Sequence, residues 1–240
     1  MSLPRPESRL RRHLLWRIHR RYQTVTRTVR LGGLSIDFTR IADPDRVLDE
    51  VAAEEDRREK LSRQRRDGDE LHLPYWAELW DSALGIGQFL TKHHQPVAGQ
   101  SVLDLGCGMG LSGTIAARLG ARVHFADLEP PALLFARLNS LLDAPRVRAR
   151  RLNWQTDRLD ESFDLILGAD ILYERKQWEF LDPFWRVHLA PGGVILLGEP
   201  GRQTGDLFVE WIVQRGWKLT AHEEPVETRE RPIRIFELRE

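Results

Sequence analysis

From Ser101 to Glu240, short apolar runs of strand length alternate with longer stretches whose apolar residues recur at helical spacing. Strands are predicted at 101–105, 122–126, 146–150, 163–168, 192–198, 217–222 and 232–238. Helices are predicted over 110–119, 130–142, 174–189 and 205–215, with a short loop in place of a helix around 153–161. This alternation calls for an α/β fold: a seven-stranded, mostly parallel sheet with helices on both faces. Before it, Thr26-Val29-Leu31 and Leu34-Ile36-Phe38 flank Gly32-Gly33 and read as a β-hairpin. Asp43-Pro44-Asp45 starts a helix with Val47, Leu48 and Val51 on one face, followed by a charged run to Asp69. Pro74 opens a further helix through Trp76, Leu79, Trp80, Leu84 and Phe89, ending near His93-His94. The chain divides into an N-terminal extension, 1–70, made of a helix, the hairpin and a second helix, and a main domain, 71–240; a chain of 240 residues buries one full α/β core.

Acidic and basic residues balance at a formal net charge of zero, which excludes general coating by nucleic acid. The distribution is uneven, however. Arg9, Arg11, Arg12, Arg17, Arg20, Arg21 and Arg27 crowd the start against Glu7 alone, so nucleic acid is an expected partner only through this basic arm. Leu10, Leu14, Trp16 and Ile18 give the same segment an apolar face expected to pack on the body. Apolar runs stay well short of a membrane span, and no membrane association is expected. The lone Cys107 excludes an intrachain disulfide and a thiolate zinc site, and fits a reducing, cytoplasmic compartment. His93-His94 have no acidic partner at ligand spacing, so no metal is expected. A monomer is expected.

The chemistry starts at Val102-Leu103-Asp104-Leu105-Gly106-Cys107-Gly108-Met109-Gly110, an apolar strand breaking into three glycines before a helix. Such a turn presents backbone to a nucleotide-like ligand. Leu111 stands off the dinucleotide fingerprint, and Leu111-Ser112 replaces the Gly-Lys-Ser/Thr of a phosphate loop. The order acidic-x-Gly-x-Gly-x-Gly instead resembles motif I of the Rossmann-like, S-adenosylmethionine-dependent methyltransferases. That resemblance implies S-adenosylmethionine as cofactor, S-adenosylhomocysteine as product, and cofactor contacts from Asp104, Gly106, Cys107, Gly108 and Gly110. Asp127 ends the second strand where a carboxylate accepts from both ribose hydroxyls, with Leu128 beside it and Glu129 starting the next helix. After the third strand, Asn153-Trp154 offers a ring for the adenine face and backbone for its edge; packing in the core is the other reading of that Trp.

The fourth strand runs into Gly168-Ala169-Asp170-Ile171-Leu172-Tyr173. It lacks the prolines of the adenine-type nucleic-acid methyltransferases, and Cys107 sits in the glycine turn rather than where a cytosine C5 nucleophile would be needed. Asp170-x-x-Tyr173, Pro74-Tyr75-Trp76-Ala77, Leu79-Trp80-Asp81-Ser82-Ala83-Leu84 and Asn153-Trp154 together resemble the seven-strand protein lysine methyltransferases of the methyltransferase-16 family, over residues 71–200. The resemblance implies N-methylation of a lysine in a protein substrate. Asp170 would then orient the amine or its departing proton and Tyr173 line the acceptor channel, with Ala169 and Asp170 also against the cofactor. Trp80 would shield the methionine end, and Tyr75 and Trp76 would form an aromatic wall at the mouth. Asp170 as the N-cap of the following helix is the structural alternative. Two other functions stay open: a small-molecule amine or carboxyl methyltransferase with 24–69 as a lid, and a non-catalytic RNA- or ribosome-associated protein using the basic arm.

Overall fold

A computed structural model describes residues 8–62, 73–93 and 97–240. In chain order the elements are α1 (Arg9–His19), β1 (Thr24–Leu31), β2 (Leu34–Ile41), α2 (Pro44–Ser62), α3 (Asp81–Lys92), β3 (Ser101–Leu105), α4 (Leu111–Arg118), β4 (Arg122–Asp127), α5 (Pro130–Asn139), β5 (Val147–Arg151), β6 (Phe163–Ala169), α6 (Arg175–His188), β7 (Leu189–Glu199), α7 (Gln203–Gln214), β8 (Lys218–Glu224) and β9 (Ile233–Arg239). The main sheet runs β5-β4-β3-β6-β7-β9-β8, parallel from β5 to β7, with β9 antiparallel to both its neighbours. This is the α/β sheet expected of the sequence.

Burial on both faces explains why the central strands read as unbroken apolar runs. Along β6, Leu165 and Leu167 join one core while Ile166 joins the other. The first core is closed by α3, α4 and α5, the second by α6 and α7 through Trp178, Phe184, Trp185, Phe208 and Ile212.

The extension is not a separate flap. β1 and β2 pair antiparallel across Gly32-Gly33, as expected, and Ile36, Phe38 and Ile41 are buried in the first core. Asn139 at the end of α5 fastens the hairpin: its Oδ1 accepts the Thr39 amide at 2.8 Å, while its Nδ2 donates to the carbonyls of Thr39 at 3.0 Å and Met109 at 2.9 Å. One carboxamide thereby ties the hairpin to the glycine turn. On α1, Leu14 and Ile18 are buried against α5, but Leu10 and Trp16 are exposed, contrary to the apolar face expected. Trp16 lies two residues from both buried positions, about 200° around a helix.

Other boundaries also differ from expectation. The helix expected from Pro74 is a single 3₁₀ turn, Tyr75–Ala77, followed by extended Glu78 and Trp80, with α3 starting only at Asp81. The Trp80 indole N–H donates to the Tyr75 carbonyl at 2.9 Å, across the extended residues that separate the turn from α3. The 130–142 helix stops at Asn139, and a 3₁₀ turn, Leu141–Arg146, containing Pro145 takes over. The third expected strand begins one residue later, at Val147. Pro191-Gly192-Gly193 lies inside β7 as an irregularity, where the pairing shifts register between Phe163 and Leu165 and Gly192 takes φ +76°. The charged run beyond Ser62 lies outside the described residues.

Candidate active site

Parallel strands deliver their carboxyl ends to one edge of the sheet, so the loops after β3, β4, β5, β6 and β7 meet there. The glycine turn is the floor. Gly106, Gly108 and Gly110 all take positive φ, +64°, +52° and +82°, a region that side chains rarely tolerate. A Cβ on Gly110 would sit 2.6 Å from the Ala136 Cβ, so the turn is pressed onto α5. The Cys107 amide donates to the Ala126 carbonyl at 3.1 Å, locking the turn to β4.

Asp127 joins the two loops. Its Oδ2 accepts the Gly108 amide at 2.8 Å and its Oδ1 the Glu129 amide at 2.9 Å. The carboxylate thus positions both the glycine turn and the start of α5, whose N-cap is Glu129 as expected.

Other expected cofactor residues brace the turn and the loops beside it. Asp104 is 1% exposed beneath the turn, where its Oδ2 accepts the Gly113 amide at 2.8 Å and braces the first turn of α4; burial pushes its pKa up to about 7. Burial, with Asp127 and Asp104 adding, pushes the Cys107 thiol well above its ordinary pKa, leaving it protonated and inert. The Leu128 carbonyl accepts from Arg151 Nε at 3.0 Å. Asn153 shapes a tight turn: its Oδ1 accepts the Gln155 amide at 3.0 Å, and its own amide donates to Asp157 Oδ2 at 2.9 Å.

That turn carries Trp154 over the glycines. Its Cζ3 lies 3.4 Å from where a Cβ on Gly106 would be, and its Nε1 donates to Gln177 Oε1 at 3.0 Å. The same oxygen accepts from Gln155 Nε2 at 2.9 Å, and Gln177 Nε2 donates to Glu174 Oε2 at 3.0 Å. Gln177, in α6, therefore sets the angle of the indole.

The second half of the site surrounds Asp170. Among the described residues it is the one non-glycine with positive φ, +56°, and its amide donates to the Gly198 carbonyl at 2.9 Å. It caps nothing, since α6 starts only at Arg175. Its carboxylate instead accepts both arms of Arg202, Nε to Oδ1 at 3.2 Å and Nη2 to Oδ2 at 2.8 Å. Burial raises its pKa and the guanidinium opposes that rise. Arg202 also stands 5.6 Å over the Trp80 ring. The pair and the indole line an open cavity of about 510 Å³ with Asp81, Pro200 and Arg229. Ala169 pairs with Gly198 at the end of the β6–β7 ladder and contributes backbone.

Beside Asp170, Tyr173 meets Tyr75 edge-on at 5.4 Å, and Tyr75 meets Trp80 at 6.3 Å, a continuous aromatic wall. Burial raises the Tyr173 pKa to about 12, so its hydroxyl is protonated at neutral pH. Trp76, by contrast, is buried between Tyr22 and Phe135, not at the mouth as expected.

Sequence reasoning missed Arg202, Gln177 and Glu199. Glu199, 1% exposed, accepts the amides of Gly201 at 2.8 Å and Arg202 at 2.5 Å, and binds Arg234, so it builds the loop that aims Arg202. The available signal was Gly198-Glu199-Pro200-Gly201-Arg202, a turn sequence at the carboxyl end of a parallel strand.

Sheet order, glycine turn and loop cluster define the class: a Rossmann-like α/β protein of the methyltransferase fold. The solved structure of the glycopeptide N-methyltransferase MtfA with S-adenosyl-L-methionine superposes with a TM-score of 0.55 at 17% identity, covering 65% of this chain and 86% of that one. A family model described as lysine methyltransferase matches residues 72–207, and the chain belongs to that family. It is 35% identical over 156 residues to the electron transfer flavoprotein beta subunit lysine methyltransferase of Danio rerio, covering 62% of this chain and 57% of that protein. It is 40% identical over 129 residues to the protein N-lysine methyltransferase METTL21A of Xenopus tropicalis, covering 50% and 58%. The chain thus matches little more than half the length of these relatives.

Proposed function

We propose that this chain is an S-adenosylmethionine-dependent N-methyltransferase whose acceptor is a lysine in a protein. The observation that carries this reading is the adjacency of two half-sites at one sheet edge: Gly106–Gly110 with Asp127 and Trp154, and Asp170 with Trp80, Tyr75 and Tyr173. The names of the relatives, both protein lysine methyltransferases, support the acceptor class.

The first half fits the cofactor by its donor set. Asp127 places a carboxylate, an acceptor suited to ribose hydroxyls, against the glycine turn, and the Trp154 indole is held by Gln177. S-adenosylmethionine, when bound, supplies a methyl on a sulfonium cation, and the protein's task is to align a nucleophile with it and exclude water.

A lysine arrives protonated, and lowering its pKa from about 10.4 to 7 corresponds to about 4.6 kcal/mol. Desolvation of the lysine against the Tyr173–Tyr75–Trp80 wall disfavours the ammonium, and Asp170 takes the hydrogen bond from the amine. Oδ1, bonded to Arg202 at the longer 3.2 Å, is the less engaged oxygen and the one that accepts it. Arg202 favours the ionised form of that carboxylate against the effect of burial, and Tyr173 and Trp80 offer ring faces to the incoming cation. The small-molecule reading needs residues 24–69 as a lid, whereas Ile36, Phe38 and Ile41 are buried in the main core.

The test is incubation of the protein with methyl-labelled S-adenosylmethionine and a cell extract. Label recovered as methyllysine after protein hydrolysis supports the proposal; label confined to RNA or to small molecules overturns it.

A further inference from the structure

One surface plays no part in the site above. The outward face of α1 carries Arg9, Arg17 and Arg20 around Trp16, which is 58% exposed, and no acidic residue occurs anywhere in the helix. Arg20 stands 5.1 Å over the indole and His13 stacks on it at 6.2 Å, so the ring is propped in solvent by its neighbours on the helix surface. Leaving a Trp this exposed wastes the apolar burial that such a side chain usually obtains. The family match begins only at residue 72, so α1 lies outside the shared region.

We propose that this face binds single-stranded nucleic acid, with the arginines on phosphates and Trp16 stacked on an unpaired base. The charge calls for an anionic partner of repeating negative charge, and the exposed ring calls for a flat one. An acidic membrane fits less well. A surface-lying helix inserts an apolar face, and α1 has already buried Leu14 and Ile18 against α5. A duplex fits less well too, because its bases are stacked away from a side chain on a helix surface.

The experiment is fluorescence anisotropy of a labelled 20-nucleotide single-stranded RNA of mixed sequence, titrated with the full chain over a series of salt concentrations. Three variants are compared with wild type: Trp16→Ala, Arg9/Arg17/Arg20→Gln, and Val213→Ala as an exposed control in α7, which packs on the second core. Thermal melts check that all remain folded, as expected for exposed positions. Trp16→Ala should weaken binding by about 5- to 150-fold, the range for one base stacked on an aromatic ring, with the salt slope unchanged. The triple variant should lower the slope of log affinity against log salt by about 2, at about 0.7 per phosphate contact on a single strand. Absence of binding at low salt, wild-type affinity in Trp16→Ala, or tighter binding to phosphatidylserine vesicles than to RNA would each overturn the proposal.

Discussion

The glycine turn makes a quantitative prediction that separates two positions chemically alike in the sequence. Gly108 and Gly110 both have positive φ, so alanine at either site carries the left-handed backbone cost of about 1–2 kcal/mol. Their surroundings differ. A Cβ on Gly108 would meet nothing closer than the Trp76 carbonyl at 3.6 Å, ordinary contact distance. On Gly110 it would lie 2.6 Å from Ala136 Cβ and 2.8 Å from Ala136 Cα, against the rigid backbone of α5. Forcing a methyl into such a gap adds about 1–3 kcal/mol. Gly108→Ala should therefore lose about 1–2 kcal/mol of stability and Gly110→Ala about 2–5 kcal/mol, read as urea midpoints by circular dichroism at constant slope. Equal losses, or the larger loss at Gly108, would refute the claim that the turn is packed onto α5.

Three further outcomes follow from the site. Asp104 has a folded pKa of about 7 against an unfolded value near 3.9, so its penalty is absent below about pH 4 and grows as pH rises, levelling above 7 at about 4 kcal/mol. Asp104→Asn, which keeps an oxygen for the Gly113 amide, should gain stability over wild type at pH 8 and not at pH 4 in urea titrations; parallel pH curves would contradict this. Arg202→Met removes the charge that opposes the burial-raised pKa of Asp170, so the acidic limb of the pH–rate profile should move to higher pH, and an unmoved limb would show that the pair does not matter. Gln177→Ala unlocks the Trp154 indole and should weaken S-adenosylhomocysteine binding severalfold by calorimetry while Trp154→Ala weakens it more, the stacked ring being worth about 1–3 kcal/mol; wild-type affinity in both would remove Trp154 from the cofactor site.

What the sequence disclosed was mostly local. The strand β3, the three glycines and Asp127 sit within 26 residues of one another, and their spacing alone gives a strand, a turn and an acid at the next strand's end. The sheet order beyond β7 depends on β9 inserting beside β7, a long-range pairing that no short pattern specifies. Arg202 was illegible for the same reason: it is one of many arginines until folding brings it 32 residues back onto Asp170. The resemblance sets Trp76 and Tyr75 together at the mouth, but adjacent residues of one turn point in different directions. The chain instead makes one 3₁₀ turn and then extends, which leaves Trp76 packed between Tyr22 and Phe135 and Tyr75 on the wall. Trp16 was counted as core by residue type, although helical spacing already set it opposite Leu14 and Ile18.

The division of labour between the half-sites is the central claim, and Asp170→Ala tests it most directly. Asp170 is held by Arg202 and stands apart from the Asp127–Gly108 contact. Single-turnover methyl transfer to a lysine-bearing protein acceptor is measured for wild type and variant, with an S-adenosylhomocysteine binding isotherm on each. The account predicts an isotherm within about threefold of wild type and transfer slowed by at least about 100-fold, the scale for losing a positioned proton acceptor. Transfer at the wild-type rate by Asp170→Ala would contradict it.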